Sequence, residues 1–295
     1  MQSPKYIINK KNHLEYLSYN DNGVHLLEQN IHYINWNGLS LNPSAIPLLE
    51  KNVDKISWYY LSQNPNAIHL LNKYFDKIHW WMLARNPNAI QLIEKNLLKT
   101  NCSYLSGNPA AIHLLENNLV PINWYQLSGN PAAIHLLENN LEQINWYQLS
   151  GNPAAIHLLE KNIAKIDWDQ LSGNPSAIHI LEKNQDKINW SWLSANPNAI
   201  YLLERNIDKI HWFWLSGNPG AIHLLEQNIV KINWNQLSMN SNAIHLLASL
   251  NYVEMQRTFQ PLTKELIEYV FNPNRVSRIA DVYGMDLIEY FDFYF

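Results

Sequence analysis

The sequence predicts an all-α fold, an α-solenoid of about eleven 22-residue two-helix repeats with terminal helical caps. Three observations carry this. Leucine recurs at Leu17, Leu39, Leu61, Leu83, Leu105, Leu127, Leu149, Leu171, Leu193, Leu215 and Leu237 without insertion or deletion, and self-similarity at such a period marks a solenoid. Each copy holds two helix-capping signals. Between them, apolar residues fall three and four apart, the spacing of one helix face. The resulting organisation is an N-terminal cap over residues 1–16, the repeat array over 17–250 and a C-terminal helical cap over 251–295.

The N-terminal cap loosely resembles a copy, with Leu14 in a slot that later copies give to Trp. In the copies themselves, counting Leu as the first position, Asn fills the fourth from Asn20 to Asn240, and nine copies follow it with Pro. Asn accepts from a free amide of a first turn, and Pro suits the first helical position, where no N–H is needed. Ala133, Ile134, Leu137 and Leu141 illustrate the buried stripe expected of the first helix, about ten residues long and closed by a left-handed Asn such as Asn140.

A second, shorter helix starts at the polar residue before Trp: Asn35, Ser57, Asn123, Asn145, Asp167, Asn189 or Asn233. It runs through Trp into the next copy's Leu and Ser, with Trp and Leu on one face. Eleven such units, with helices packed 8–10 Å apart, would stack into a rod or superhelix on the order of 100 Å long. The alternative is a leucine-rich-repeat-like solenoid, since Ile-x-Trp-x-x-Leu-Ser-x-Asn resembles the strand and Asn turn of such units. Against it stand the apolar spacing of three and the Pro that opens a helix where an Asn ladder would continue. Beyond the array, residues 263–271 and 272–283 read as two further helices that cover the last copy.

Composition narrows the functional classes. Charged residues make up 16% and the net charge is −4, with acids and bases interspersed, so the chain lacks the electrostatic footprint of a nucleic-acid or lipid binder. The only cysteine, Cys102, replaces a Trp. Residues 1–12 lack the apolar core of a signal peptide, and no apolar run approaches the ~20 residues of a membrane span. These features predict an intracellular protein that does not engage membrane. No phosphate loop, nucleophile elbow or Cys-x-x-Cys pair occurs, so no enzyme, catalytic residue or cofactor is expected.

Three recurring features bear on function. His fills the ninth position of eight copies, from His25 to His245, usually with Glu three residues on. That pair suits a helix surface better than a metal, which needs three or four converging ligands. Trp at the twentieth position reads as packing. The two positions after Trp vary and are rich in aromatics, the mark of a recognition face: Tyr59, Tyr60, Trp81, Tyr125, Tyr147, Trp192, Phe213 and Trp214 are the candidate binding residues.

The units at 127–138 and 149–160, Leu-Ser-Gly-Asn-Pro-Ala-Ala-Ile-His-Leu-Leu-Glu, with the Ile-Asn-Trp that follows, resemble repeat proteins of giant DNA viruses of amoebae (Mimivirus-like). The Phe271-Asn272-Pro273-Asn274-Arg275 stretch is similar to a short terminal motif of that family. The resemblance implies a viral origin and a host-cytoplasmic or virion location. The expected function is a non-enzymatic scaffold for a protein partner, of open oligomeric state. Its alternatives are a modular single-stranded nucleic-acid-binding array and a self-assembling rod. A base reader needs a cationic stripe. Lys55, Lys77, Lys99, Lys165, Lys187, Lys209 and Lys231 form one, blunted by Asp54, Asp76, Asp186 and Asp208 beside four of them.

Overall fold

A computed structural model describes residues 6–8, 11–100 and 102–250. The predicted C-terminal helices at 263–271 and 272–283 lie outside the described residues. The chain divides into two compact units. One combines Met1–Asn9 with Ala248–Phe295, and in it strand Tyr6–Ile8 pairs antiparallel with strand Ala248–Leu250. The other, Lys10–Leu247, holds the repeats.

The repeats form an α-solenoid. No strand occurs among the described residues of this unit, which overturns the leucine-rich-repeat alternative. Most copies contribute a short Trp helix, such as Trp36–Leu41 or Trp168–Gly173, and a short Ile helix, such as Ile46–Glu50 or Ile156–Lys161. Most copies add a single 3-10 turn, such as Val53–Lys55, before the next Trp helix. None of these helices could persist alone, since isolated helices shorter than about 12 residues are marginal in water. They are held by a core in which the first-position Leu of every copy is buried.

The predicted ten-residue helix is in fact two pieces. The Asn at its start does cap it: Asn42 Oδ1 accepts from Ser44 N at 2.9 Å. The next amide, that of Ala45, bonds back only three residues to the Asn42 carbonyl. The first turn, Pro43–Ala45, is therefore wound as 3-10, and Ala45 at φ −90°, ψ 0° marks the change to the α-helix that follows. At the other end the fourteenth-position Asn, wherever it occurs, keeps a negative φ in every copy but one. Asn140 sits at φ −139° and closes its helix by donating Nδ2 to the Leu136 carbonyl at 2.8 Å. Only Asn118 takes the left-handed form, φ 55°. There the Leu119 amide reaches back to the Leu114 carbonyl, the 6→1 bond of a Schellman end. That copy carries Pro121 where most others have Lys, and it buries Val120.

The predicted caps of the Trp helices hold at Asn35, Asn123, Asn145, Asp167, Asn189 and Asn233, whose side chains accept from an amide in the first turn. Ser57 makes no such bond.

Two buried polar residues register one copy on the next. Ser40 Oγ donates to the Trp36 carbonyl and accepts the Ser57 amide of the following cap. Asn64 Nδ2 donates to the carbonyls of Ser40 and Asn42 in the preceding copy, both at 3.0 Å. Asn thus laddering through the core while also capping a Pro turn corrects the sequence argument that Pro excludes a ladder. Pro has no N–H, so Oδ1 takes the amide one residue further on. The NH2 group, which has two donors, is left for the neighbouring copy.

The ladder has no free end. Asn20, in the first copy, donates to the carbonyls of Ser238 at 2.9 Å and Asn240 at 3.0 Å in the eleventh. Asn22 donates to Ser241, the contact Asn66 makes to Pro43. The 3-10 helix Lys11–Tyr19 takes the place of a Trp helix and packs between Trp234–Met239 and Trp36–Leu41. Copy eleven therefore precedes copy one in space as copy one precedes copy two. The repeat unit is a closed ring, and the open rod or superhelix expected from end-to-end stacking does not form.

Candidate binding surface

The first of the two variable positions after Trp points off the Trp helix. Trp81, Tyr125, Tyr147 and Phe213 are exposed there, and Tyr59 is half-buried. The second position behaves differently because it faces the third position of its own copy. A β-carbon on Gly173 would stand 3.3 Å from the Trp192 ring, and one on Gly217 3.2 Å from the Gln236 amide. In the first copy the sizes are exchanged. Gly38 occupies the second position and Tyr19 the third, with the ring 2.6 Å from where a Gly38 β-carbon would be. In the fourth, Arg85 covers the Tyr104 ring at 4.5 Å. Large stands opposite small at Gly173/Trp192 and at Tyr19/Gly38, so part of the variability at these positions is set by the neighbour. Tyr60 is half-buried, while Trp192 and Trp214 stay exposed.

Two aromatic clusters result. Tyr59 meets Tyr60 at 5.0 Å, Trp81 at 5.3 Å and His79 at 5.6 Å, and Trp81 continues to Tyr104 at 5.9 Å. These centroid distances are those of favourable edge-to-face and tilted pairs. Across the second cluster Phe213 joins His211 and Trp214. Tyr125 and Tyr147 occupy equivalent places in the near-identical copies, and the Tyr147 hydroxyl accepts from Gln170.

The His line is built differently from the expected His-x-x-Glu. His135 Nε2 lies 2.7 Å from Glu116 Oε1, the Glu of the preceding copy, 19 residues earlier. The same pairing joins His69 to Glu50, His113 to Glu94, His157 to Glu138, His179 to Glu160, His223 to Glu204 and His245 to Glu226. It is an inter-copy clasp. Among the described residues no group of three or more His, Cys, Asp or Glu could hold a metal ion.

The Lys stripe is also occupied within the protein. Lys165, Lys187, Lys209 and Lys231 lie 4.5–4.7 Å over Trp146, Trp168, Trp190 and Trp212 of the preceding copies, and Lys99 lies over Phe75 and Trp80. Lys55 and Lys77 reach Asp54 and Asp76. The Trp rings, half-buried, are thus roofed by ammonium groups.

One feature escaped the sequence reading. The fifteenth position, assigned there to the buried stripe, is a row of exposed aliphatics that includes Ile31, Leu119, Leu141, Ile163, Ile207 and Ile229. In most copies it begins the extra 3-10 turn, whose existence no capping signal announces. Since the turn leaves the helix axis, the i+7 relation from Ile134 to Leu141 no longer holds them on one face.

The fold and this surface define an α-solenoid closed into a ring that carries an aromatic-rich variable face. Comparison with protein-family models, curated proteins and solved structures finds no match. Among the described residues no helix is long and apolar enough to cross a membrane.

Proposed function

We propose that this protein is a non-enzymatic scaffold that binds a protein partner through the aromatic row following Trp. The observation that carries the reading is the contrast within one short helix. Leu and, in all but one copy, Ser of the Trp helix are locked into the core and ladder, while the residue after Trp is free of that framework and is repeatedly Tyr, Trp or Phe at an exposed position. Exposed clusters of Tyr and Trp on a rigid support are the usual anchors of protein interfaces. The resemblance to giant-virus repeat proteins extends the proposal to host or virion proteins, met in the host cytoplasm or the virion.

The nucleic-acid reading is disfavoured because the Lys stripe is spent on Trp faces and adjacent Asp residues. Ring closure also disfavours the self-assembling rod, since both ends of the array are covered by each other.

The test compares wild type with a variant carrying Tyr59, Tyr60, Trp81, Trp192, Phe213 and Trp214 as Ala. Helicity of the two is matched, and capture from nuclease-treated lysate is followed by direct binding of the purified candidate. Loss of a specific protein in the variant supports the reading. Capture that is unchanged, or that vanishes with nuclease, overturns it.

A further inference from the structure

The clasp of His on Glu fails in both members at one joint only. Between the third and fourth copies Asn72 stands where most copies have Glu, and Gln91 where most have His. The slot that a 2.5–2.9 Å pair fills at seven other joints is here an open cavity of about 120 Å³, lined by Ile68, Asn72, Asn88, Gln91, Leu92 and Lys95. We infer that this cavity is a binding site for a carboxylate borne on a short aliphatic stem.

The chemistry of the lining argues the ligand class. At those seven joints the slot holds a carboxylate of the protein's own, which would repel a second one. Here that charge is gone while Lys95 remains at the rim, leaving a local cationic donor beside two neutral carboxamides. Asn72 and Gln91 each offer an NH2 group to an anionic oxygen. Asn88 is fixed in place, donating Nδ2 to the Pro65 carbonyl at 3.0 Å. Ile68 and Leu92 form an apolar floor for methylene groups. A volume of about 120 Å³ suits a carboxylate on a stem of two or three methylenes and is too small for a nucleotide. No aromatic ring lines it to stack on a sugar. The inference does not depend on the aromatic face.

Two sources share this chemistry, a free small acid and a Glu side chain of a bound protein. The experiment uses the full chain with Asn and Gln side-chain amides labelled for NMR. It is titrated with glutarate, with glutaramide, and with the capped tripeptides Ala-Glu-Ala and Ala-Gln-Ala. Glutarate should shift the Asn72, Asn88 and Gln91 amides saturably, with glutaramide weaker by roughly tenfold or more. Response to Ala-Glu-Ala but not Ala-Gln-Ala assigns a protein side chain as the source; response to glutarate alone assigns a free acid.

Restoring the clasp with Asn72→Glu and Gln91→His introduces the pair that seven joints already carry, so the variant should fold as well as wild type and lose the response. Conversely, Glu138→Asn, Ala154→Asn and His157→Gln transplant the lining to a regular joint beside Lys161 and should create a second site. Carboxylate and amide binding equally well, a response that survives Asn72→Glu/Gln91→His, or no saturable shift at tens of millimolar would overturn the assignment.

Discussion

The carboxamide of Asn20 donates to the main-chain carbonyl of Asn240, 220 residues further along the chain. The same bond joins Asn174 to Asn152, 22 residues apart, at 3.1 Å. If the seam is one more joint of the ladder, Asn20→Ala and Asn174→Ala should destabilise alike. Each strips two buried carbonyls and one capped amide of their partner. Unsatisfied buried groups of this kind cost about 1–3 kcal/mol each, so a loss of at least about 2 kcal/mol is expected at both sites. Urea denaturation checks it. A seam substitution with no effect beside a damaging interior one would show an array that is open in solution.

Closure has a direct distance test. With Cys102→Ser as background, dyes at Asn22→Cys and Asn242→Cys occupy equivalent sixth positions of copies that touch only if the ring is shut. Asn66→Cys with Asn88→Cys is the interior control, neighbours by construction. Energy transfer should match between the two pairs. An open array would hold the first pair about 100 Å apart, at 8–10 Å per joint, and transfer would be nearly absent.

Much of this was legible from residues because each copy writes its own local rules. Asn-Pro-x-Ala announces a capped turn, and Leu at a fixed period announces the core. The closure was not, because what decides it is the angle between successive copies. That angle is a sum of small packing terms with no residue of its own. Nor could the sequence show that Glu116 belongs to His135 and not to His113, since in a helix the i+3 neighbour is the natural partner, whereas the copy-to-copy offset brings residues 19 apart together. Of the candidate binding residues, the sequence separated framework from variable positions. It missed that Trp192 answers to Gly173, although the alternation of large and small between Tyr19/Gly38 and Gly173/Trp192 was a usable signal.

The two kinds of Asn at helix ends predict opposite responses to glycine. Asn118 holds φ 55°, which Gly adopts without steric penalty, so Asn118→Gly should be neutral or stabilising by a few tenths of a kcal/mol. Asn140 instead sits at negative φ and works through its side chain on the Leu136 carbonyl. Asn140→Gly removes that bond and adds backbone freedom to the unfolded chain, for a loss of about 1–2 kcal/mol. Thermal melts of the two variants in parallel distinguish them. Equal responses would mean the backbone difference at Asn118 is absent.

The His–Glu clasp is repeated at seven joints, yet each instance should be weak. At His135 and Glu116 the side chains remain 52% and 44% exposed, and pairs open to solvent contribute at most about 1 kcal/mol. A double-mutant cycle with His135→Ala and Glu116→Ala should therefore give a coupling below about 1 kcal/mol, falling further in 1 M salt, where the screening length is about 3 Å. The clasp then acts mainly by occupying the slot between copies, which the Asn72/Gln91 joint leaves open. A coupling of several kcal/mol would place the ring's stability in these pairs and remove that interpretation, since both members could not then have been exchanged at one joint without loss of the fold.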